Sequence, residues 1–276
     1  MRKFLKVILL VVFIASVSNI GFCNEGTTPA PAACDSWLGK LFNACNENPE
    51  LTKAIKENPA LIDSFKKLDD AGINDVIKNN PNNLKIIDGI EGKISSSNLS
   101  DALKNTGNPQ KLINDLGKTD NFYSGSSGIE ITVSSDANKI RIQRKKLDSD
   151  ASDIANVKTK YGAGKTKNTA TGKGSIGGDD IDLETISGKV TPQNQAQKGN
   201  FTPPEEQHYH GVLEYENHTE QKIVEYLRGK YKNDFDVEGV IEIVSERKFC
   251  DNCVDIVDQF QVEFPNITVI RVEVLP

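Results

Sequence analysis

His218 and Glu220, in ENHTEQKIVEYL from Glu216 to Leu227, and Cys250 and Cys253, in FCDNC, are the residues whose types and spacing suit chemistry. Each pair opens a segment with apolar residues at helical spacing. These are Ile223, Val224 and Leu227 in the first, and Val254, Ile256, Val257 and Phe260 in the second. One imidazole and two thiolates are a donor set that holds Zn²⁺. Three protein ligands leave a fourth position for water, the pattern of a catalytic rather than a structural site. Water bound there has a pKa near ~7, so a hydroxide nucleophile forms at neutral pH. Such a site also needs a group to carry protons, and Glu220 shares the first helical turn with His218. Taken alone, the two cysteines also fit a disulfide or a thioredoxin-type redox pair, but neither of those uses His218 or Glu220. His208 and His210, in QHYHG, are the other histidines. One of them is the alternative ligand; otherwise they face solvent or line the pocket. Ser245 and Glu246 either contact substrate or end a strand.

The elements around these residues must bring both helix starts to one place. YHGVLEYE (209–216) and EGVIEIVSE (238–246) alternate as strands, IDLETISGKV runs as a strand to a glycine turn, and PNITVIRVEVLP closes the chain as a strand. Strand, helix, strand, helix, strand implies parallel pairing in an α/β layer structure. Both helix N-termini then lie at the edge outside the carboxyl ends of the strands, where sites form. Their dipoles place partial positive charge there and favour thiolates. One strand follows the second helix, which leaves no further strand to close a pocket.

H-x-E followed by C-x-x-C is the signature of zinc deaminases. The matching residues are His218, Thr219 and Glu220, then Ser245 and Glu246, then Cys250 and Cys253, then Gln259-Phe260 and Phe264-Pro265-Asn266, with SGK at Ser187 ahead of them. Over about 181–276 the sequence resembles the deaminase domains of bacterial polymorphic toxins, in the wider cytidine deaminase-like superfamily. The resemblance implies an α/β, three-layer domain, a mixed sheet flanked by helices. It implies His218, Cys250 and Cys253 as Zn²⁺ ligands and Glu220 as proton shuttle. The implied reaction is attack on a base of nucleic acid with loss of ammonia, most often cytosine to uracil, on a base that is single-stranded or flipped out. A toxin of this kind also implies a cognate immunity protein. The sequence departs from the family at Phe249, where proline usually precedes the first cysteine. That removes a stiffening of the helix start but no ligand.

The rest of the 276 residues are organised around this segment. The composition, 37% hydrophobic and 26% charged, is globular and allows two modest domains; 7% aromatic content implies small cores. Residues 1–23 have a basic start (Arg2, Lys3, Lys6) and an apolar run that is short for a membrane span, which together predict a secretory signal peptide and no stable span after its removal. Gly21 and Cys23 stand at cleavage positions, with lipid attachment at Cys23 as the alternative. Residues 24–34 form a Pro/Ala/Thr tail, and Cys34 and Cys45, around the single Trp37, read as a disulfide in an exported chain. Asn-Pro followed by leucine recurs at Asn48, Asn58, Asn80 and Asn108, and predicts short capped helices over 35–118. Residues 119–147 hold a hairpin, and 148–180, rich in Lys, Thr, Gly and Ser, a flexible linker. GKGSIG (Gly172 to Gly177) and GAGKT (Gly162 to Thr166) match fragments of phosphate-loop motifs, but fall in that linker without a strand before or a helix after. Residues 181–276 carry 18 acidic against 9 basic side chains, whereas 138–175 carry 10 basic against 3 acidic. Nucleic-acid binders usually present a basic face. Either the basic run or a local patch helps to hold a polynucleotide, or the substrate is small. The alternatives to a toxin are thus an exported deaminase of free nucleosides or nucleotides, and a non-enzymatic binding module stabilised by zinc or a disulfide.

Overall fold

The computed structural model describes residues 37–58, 61–70, 80, 82–90, 93–94, 96–122, 128–133, 139–210 and 218–275. The chain divides into two compact units, 1–89 and 90–276. In the first, helices α1 (Trp37–Glu47), α2 (Pro49–Glu57), α3 (Leu61–Asp70) and α4 (Asn82–Ile90) follow one another. The Asn-Pro pattern acts at α2: the Asn48 Oδ1 accepts the amides of Glu50 and Leu51 at 3.1 and 3.2 Å, and Pro49 fills the first helical position. Leu51, Ile55, Leu61, Phe65, Leu84 and Ile87 are buried.

The second unit begins with α5 (Ser96–Asn105) and α6 (Pro109–Phe122), where Asn108 again caps, accepting the Lys111 amide at 3.0 Å. There follow β1 (Ile129–Val133), β2 (Ile140–Arg144), α7 (Asp148–Lys160), β3 (Thr169–Ile176), β4 (Asp179–Ile186), α8 (Thr219–Tyr231), β5 (Gly239–Ser245), α9 (Asp251–Glu263) and β6 (Ile267–Glu273). The described strands form one mixed sheet of order β1-β2-β6-β5-β3-β4. β5 and β6 are parallel, from Gly239↔Ile267 to Ser245↔Glu273. β3 is antiparallel to both β4 and β5, and β2 runs parallel to β6.

Helices cover both faces, so the domain is α/β in three layers. Alternation along β5 and β6 sends Ile241, Ile243, Ile267 and Val269 into the core made with Ile223, Val224 and Leu227 of α8 and Ile256, Val257 and Phe260 of α9. Val244 and Val272 point the other way, toward Ile154 of α7. On that same face Thr268 donates to Asp115 of α6 at 2.8 Å. Burial on both faces makes these strands nearly continuous apolar runs.

Two expectations are corrected. Residues 148–180 are not a linker: they hold α7 and β3, and β3 lies inside the sheet. Its small side chains, TATGKGSI, mark close approach rather than flexibility. A Cβ on Gly174 would lie 2.1 Å from the Val240 carbonyl oxygen, and one on Gly172 would lie 3.1 Å from Ile223. Gly177 and Gly178, both at positive φ, make the two-residue turn into β4. GKGSIG is therefore a strand running into a hairpin turn. Second, the domain does not begin at 181. Its sheet takes three strands from before that point, and β2, one arm of the hairpin expected within 119–147, lies beyond β6 in the same sheet.

The expected leader 1–23, with Cys23, the tail 24–34, and Cys34 lie outside the described residues, and so does the pairing of Cys34 with Cys45. Residues 211–216 of the expected strand 209–216 do as well. Among the described residues no helix is long and apolar enough to cross a membrane.

Because β3 is closely flanked, Gly174→Ala is expected to destabilise the domain by ~1–3 kcal/mol or more. A urea denaturation midpoint unchanged from that of the parent chain would refute the close-approach account.

Candidate active site

Both β5 and β6 are connected through helices that run antiparallel to them, so α8 and α9 start at the edge where β5 ends. His218 is the N-cap residue of α8, with extended backbone at φ −67°, ψ 151°. Cys250 is the N-cap of α9, and its sulfur accepts the Cys253 amide at 3.4 Å. The His218 Nδ1 lies 3.0 Å from the Cys253 Sγ and 3.4 Å from the Cys250 Sγ. The two sulfurs are 3.0 Å apart, well beyond a disulfide bond of about 2.05 Å. Among the described residues this is the group of histidine, cysteine and carboxylate side chains placed to share a metal ion.

Glu220 completes the cluster. It is 1% exposed, and its Oε2 faces the Cys253 Sγ at 3.4 Å. Three donors hold the carboxylate: Ser245 Oγ to Oε1 at 2.5 Å, Asn168 Nδ2 to Oε1 at 3.2 Å, and Thr219 Oγ1 to Oε2 at 2.9 Å. They come from the end of β5, the residue before β3, and the first turn of α8.

The electrostatics test whether a metal fits. Burial, together with the Glu220 carboxylate and the Cys250 sulfur beside it, pushes the Cys253 thiol well above its ordinary range. The helix dipole expected to favour thiolate is outweighed here, because Cys253 is buried and faces a carboxylate. A divalent cation bound by the three donors reverses this balance, since it takes up thiolate and offsets the carboxylate. The donor set and its crowding therefore fit Zn²⁺, with His218, Cys250 and Cys253 as the holders.

The remaining sequence candidates separate. Ser245 is brought to Glu220, whereas Glu246, one step along the chain, lies on the opposite face and pairs with Lys158 of α7. His208 donates its amide to Glu225 at 2.8 Å, and the His210 carbonyl accepts from Gln259 at 2.7 Å; neither ring belongs to the sulfur cluster. Phe249, in place of the expected proline, is buried and uses the amide that proline lacks, donating to Glu273 Oε1 at 2.9 Å. That bond ties the start of α9 to the end of β6. Within the basic run 138–175, Arg141 pairs with Asp258 and the buried Arg144 with Asp150 and Glu242, while Lys160 pairs with Glu184 and Lys173 with Asp153 at the surface.

Asn168 was missed by sequence reasoning. Its Nδ2 also reaches Thr219 Oγ1 at 2.9 Å and Ser245 Oγ at 3.1 Å, its Oδ1 accepts the Arg247 amide, and its backbone exchanges two 2.9 Å hydrogen bonds with Ser187. The available signal was an asparagine directly before an alternating small-residue run, which reads as a strand only once β3 is recognised.

Comparison with known proteins agrees with this geometry. No curated protein and no solved structure matches the chain. The model of a toxin-deaminase family, described as the BURPS668_1122 family of deaminases, matches residues 93–274. The match starts just past the division between the compact units, includes every described strand of the sheet, and contains His218, Glu220, Cys250 and Cys253. The chain thus belongs to the BURPS668_1122 family of toxin deaminases, with a hydrolytic deaminase domain of the cytidine deaminase-like type.

Proposed function

We propose that the chain is an exported bacterial toxin whose domain uses Zn²⁺ to convert cytosine to uracil in nucleic acid. The observation that carries this reading is the His218–Cys250–Cys253 triangle at two adjacent helix starts, with the Glu220 carboxylate 3.4 Å from one of its sulfurs. When bound, zinc supplies a water activated for attack at neutral pH. The protein's own residues do the rest. Glu220, fixed by Ser245, Asn168 and Thr219, takes a proton from the attacking water and delivers it to the departing amine. Water and cytosine become uracil and ammonia. Burial of Glu220 keeps that proton path out of bulk solvent.

The acidic excess in 181–276 favours a second reading, deamination of free nucleosides or nucleotides. Ammonia release from cytidine, single-stranded DNA, duplex DNA and RNA, compared side by side, separates the two. The leader reading of 1–23 predicts a mature chain beginning near Cys23, checked by N-terminal sequencing of exported material. A cognate immunity protein in the producing cell belongs to the same proposal.

Glu220→Ala is expected to lower turnover at least ~10²-fold with one zinc per chain retained by elemental analysis. Full uracil production by that metal-loaded variant would overturn the mechanism. Chelation is expected to abolish activity, and added zinc to restore it. Asn168→Ala, which leaves the metal donors intact but frees the carboxylate to turn, is expected to lower kcat roughly 10–100-fold with little change in KM. A loss confined to KM would show that Asn168 does not position Glu220.

A further inference from the structure

Lys222, on α8, is buried at 1% exposure, and its ammonium donates to the carbonyls of Ile186 and Gly188 at 2.7 and 2.6 Å. Two more lysines converge on the same turn. Gly188 has φ +104°, and the point where its Cβ would lie is 3.1 Å from the Lys167 Nζ and 3.4 Å from the Lys198 Nζ. Lys198 also approaches the Ser187 carbonyl at 3.5 Å. A side chain at 188 would be strained and would crowd two ammonium groups, so glycine lets the three lysines gather at this turn.

Three clustered cations are unfavourable unless something offsets them. Burial and the other two lysines depress Lys222 to about 7, and burial and Lys167 lower Lys198. Among the described residues none of the three lysines is in an ion pair with a carboxylate. This stands out in a chain of net charge −6, whose nearby lysines do find carboxylates: Lys160 with Glu184, Lys173 with Asp153, Lys230 with Asp179. A cluster kept unmatched amid available acids fits an anion that arrives from outside.

Its position says which anion. Lys167 and Gly188 are the chain neighbours of Asn168 and Ser187, which are joined by the two hydrogen bonds described above, one to the Ser187 hydroxyl and one between backbones, and Asn168 reaches Glu220. The lysine cluster is therefore one residue along the chain from the Asn168–Ser187 pair that reaches the reacting carboxylate. We propose that Lys167, Lys198 and Lys222, gathered around Ser187–Gly188, form a phosphate-binding cradle that takes a phosphate of the nucleotide whose base lies at Glu220. Placing the base at Glu220 rests on the deaminase reading; the cradle itself rests only on the lysines and Gly188. It supplies local positive charge in a domain that is acidic over 181–276, and the bound phosphate would fix the sugar and so the base.

The test is binding to the full chain, zinc-loaded, by calorimetry, with cytidine, cytidine 5′-monophosphate, a short single-stranded DNA and inorganic phosphate. Lys167→Met and Lys198→Met, singly and together, remove the two more exposed cations without touching the core, and Lys198→Arg retains the charge. A phosphate-bearing nucleotide is expected to bind about 10-fold or more tighter than cytidine. The double variant is expected to lose that gain while binding cytidine as before, and Lys198→Arg to keep most of it. The monophosphate binding tighter identifies a terminal phosphate, and the DNA binding tighter an internal diester; both support the cradle. Equal binding of cytidine and both phosphate-bearing probes, or an undiminished gain in the double variant, would overturn it. If no cytosine compound binds but inorganic phosphate still raises the melting temperature of the parent and not of the double variant, the cradle stands and the deaminase reading falls.

Discussion

A buried carboxylate beside two sulfurs is the constraint on which the rest of the second unit depends. Removing such a charge from water costs several kcal/mol unless donors surround it. Glu220 gets its donors from three separate elements, the end of β5, the residue before β3 and the start of α8. Those can meet only if β3 runs antiparallel to β5, with Ala170 opposite Ser245, and if α8 begins at that same edge. The glycines of β3 permit that approach. The order of the central strands is thus bound to the placement of one side chain.

The other buried charges serve the frame. Arg144 of β2, 1% exposed at its side chain, joins Asp150 of α7 and Glu242 of β5. Asp258 of α9 receives Arg141 of β2 and Arg271 of β6. Each network links a helix to strands on either side of it, and removing one partner would leave a buried charge unmatched. Two arginines of the basic segment are thereby committed to holding helices to the sheet.

The elements of 218–275 were legible because helical and alternating periodicity stand out where apolar residues are plentiful. α8, β5 and α9 follow the expected bounds closely, β6 lies inside the expected span 265–276, and the helix starts carry the paired motifs. What was hidden was hidden by composition. TATGKGSI lacks large apolar residues since its neighbours leave no room for them, and so resembled a linker. Asn168 disappeared with it. The use of Phe249's amide by Glu273 was not legible either, because it depends on β6 ending beside the start of α9, a relation no local pattern states.

The pairing of β2 with β6, Ile142 opposite Ile270, bears on when the domain can exist at all. Contacts between segments so distant in sequence form late, since a long loop must close before they give anything back. On a chain made or threaded from its N-terminal end, β1 and β2 wait as an unfinished hairpin until the last strand arrives. Cys250 and Cys253 likewise stand at the start of a helix that has no β6 to pack on until then. The order of appearance along the chain therefore keeps the site unassembled until nearly the whole domain is present.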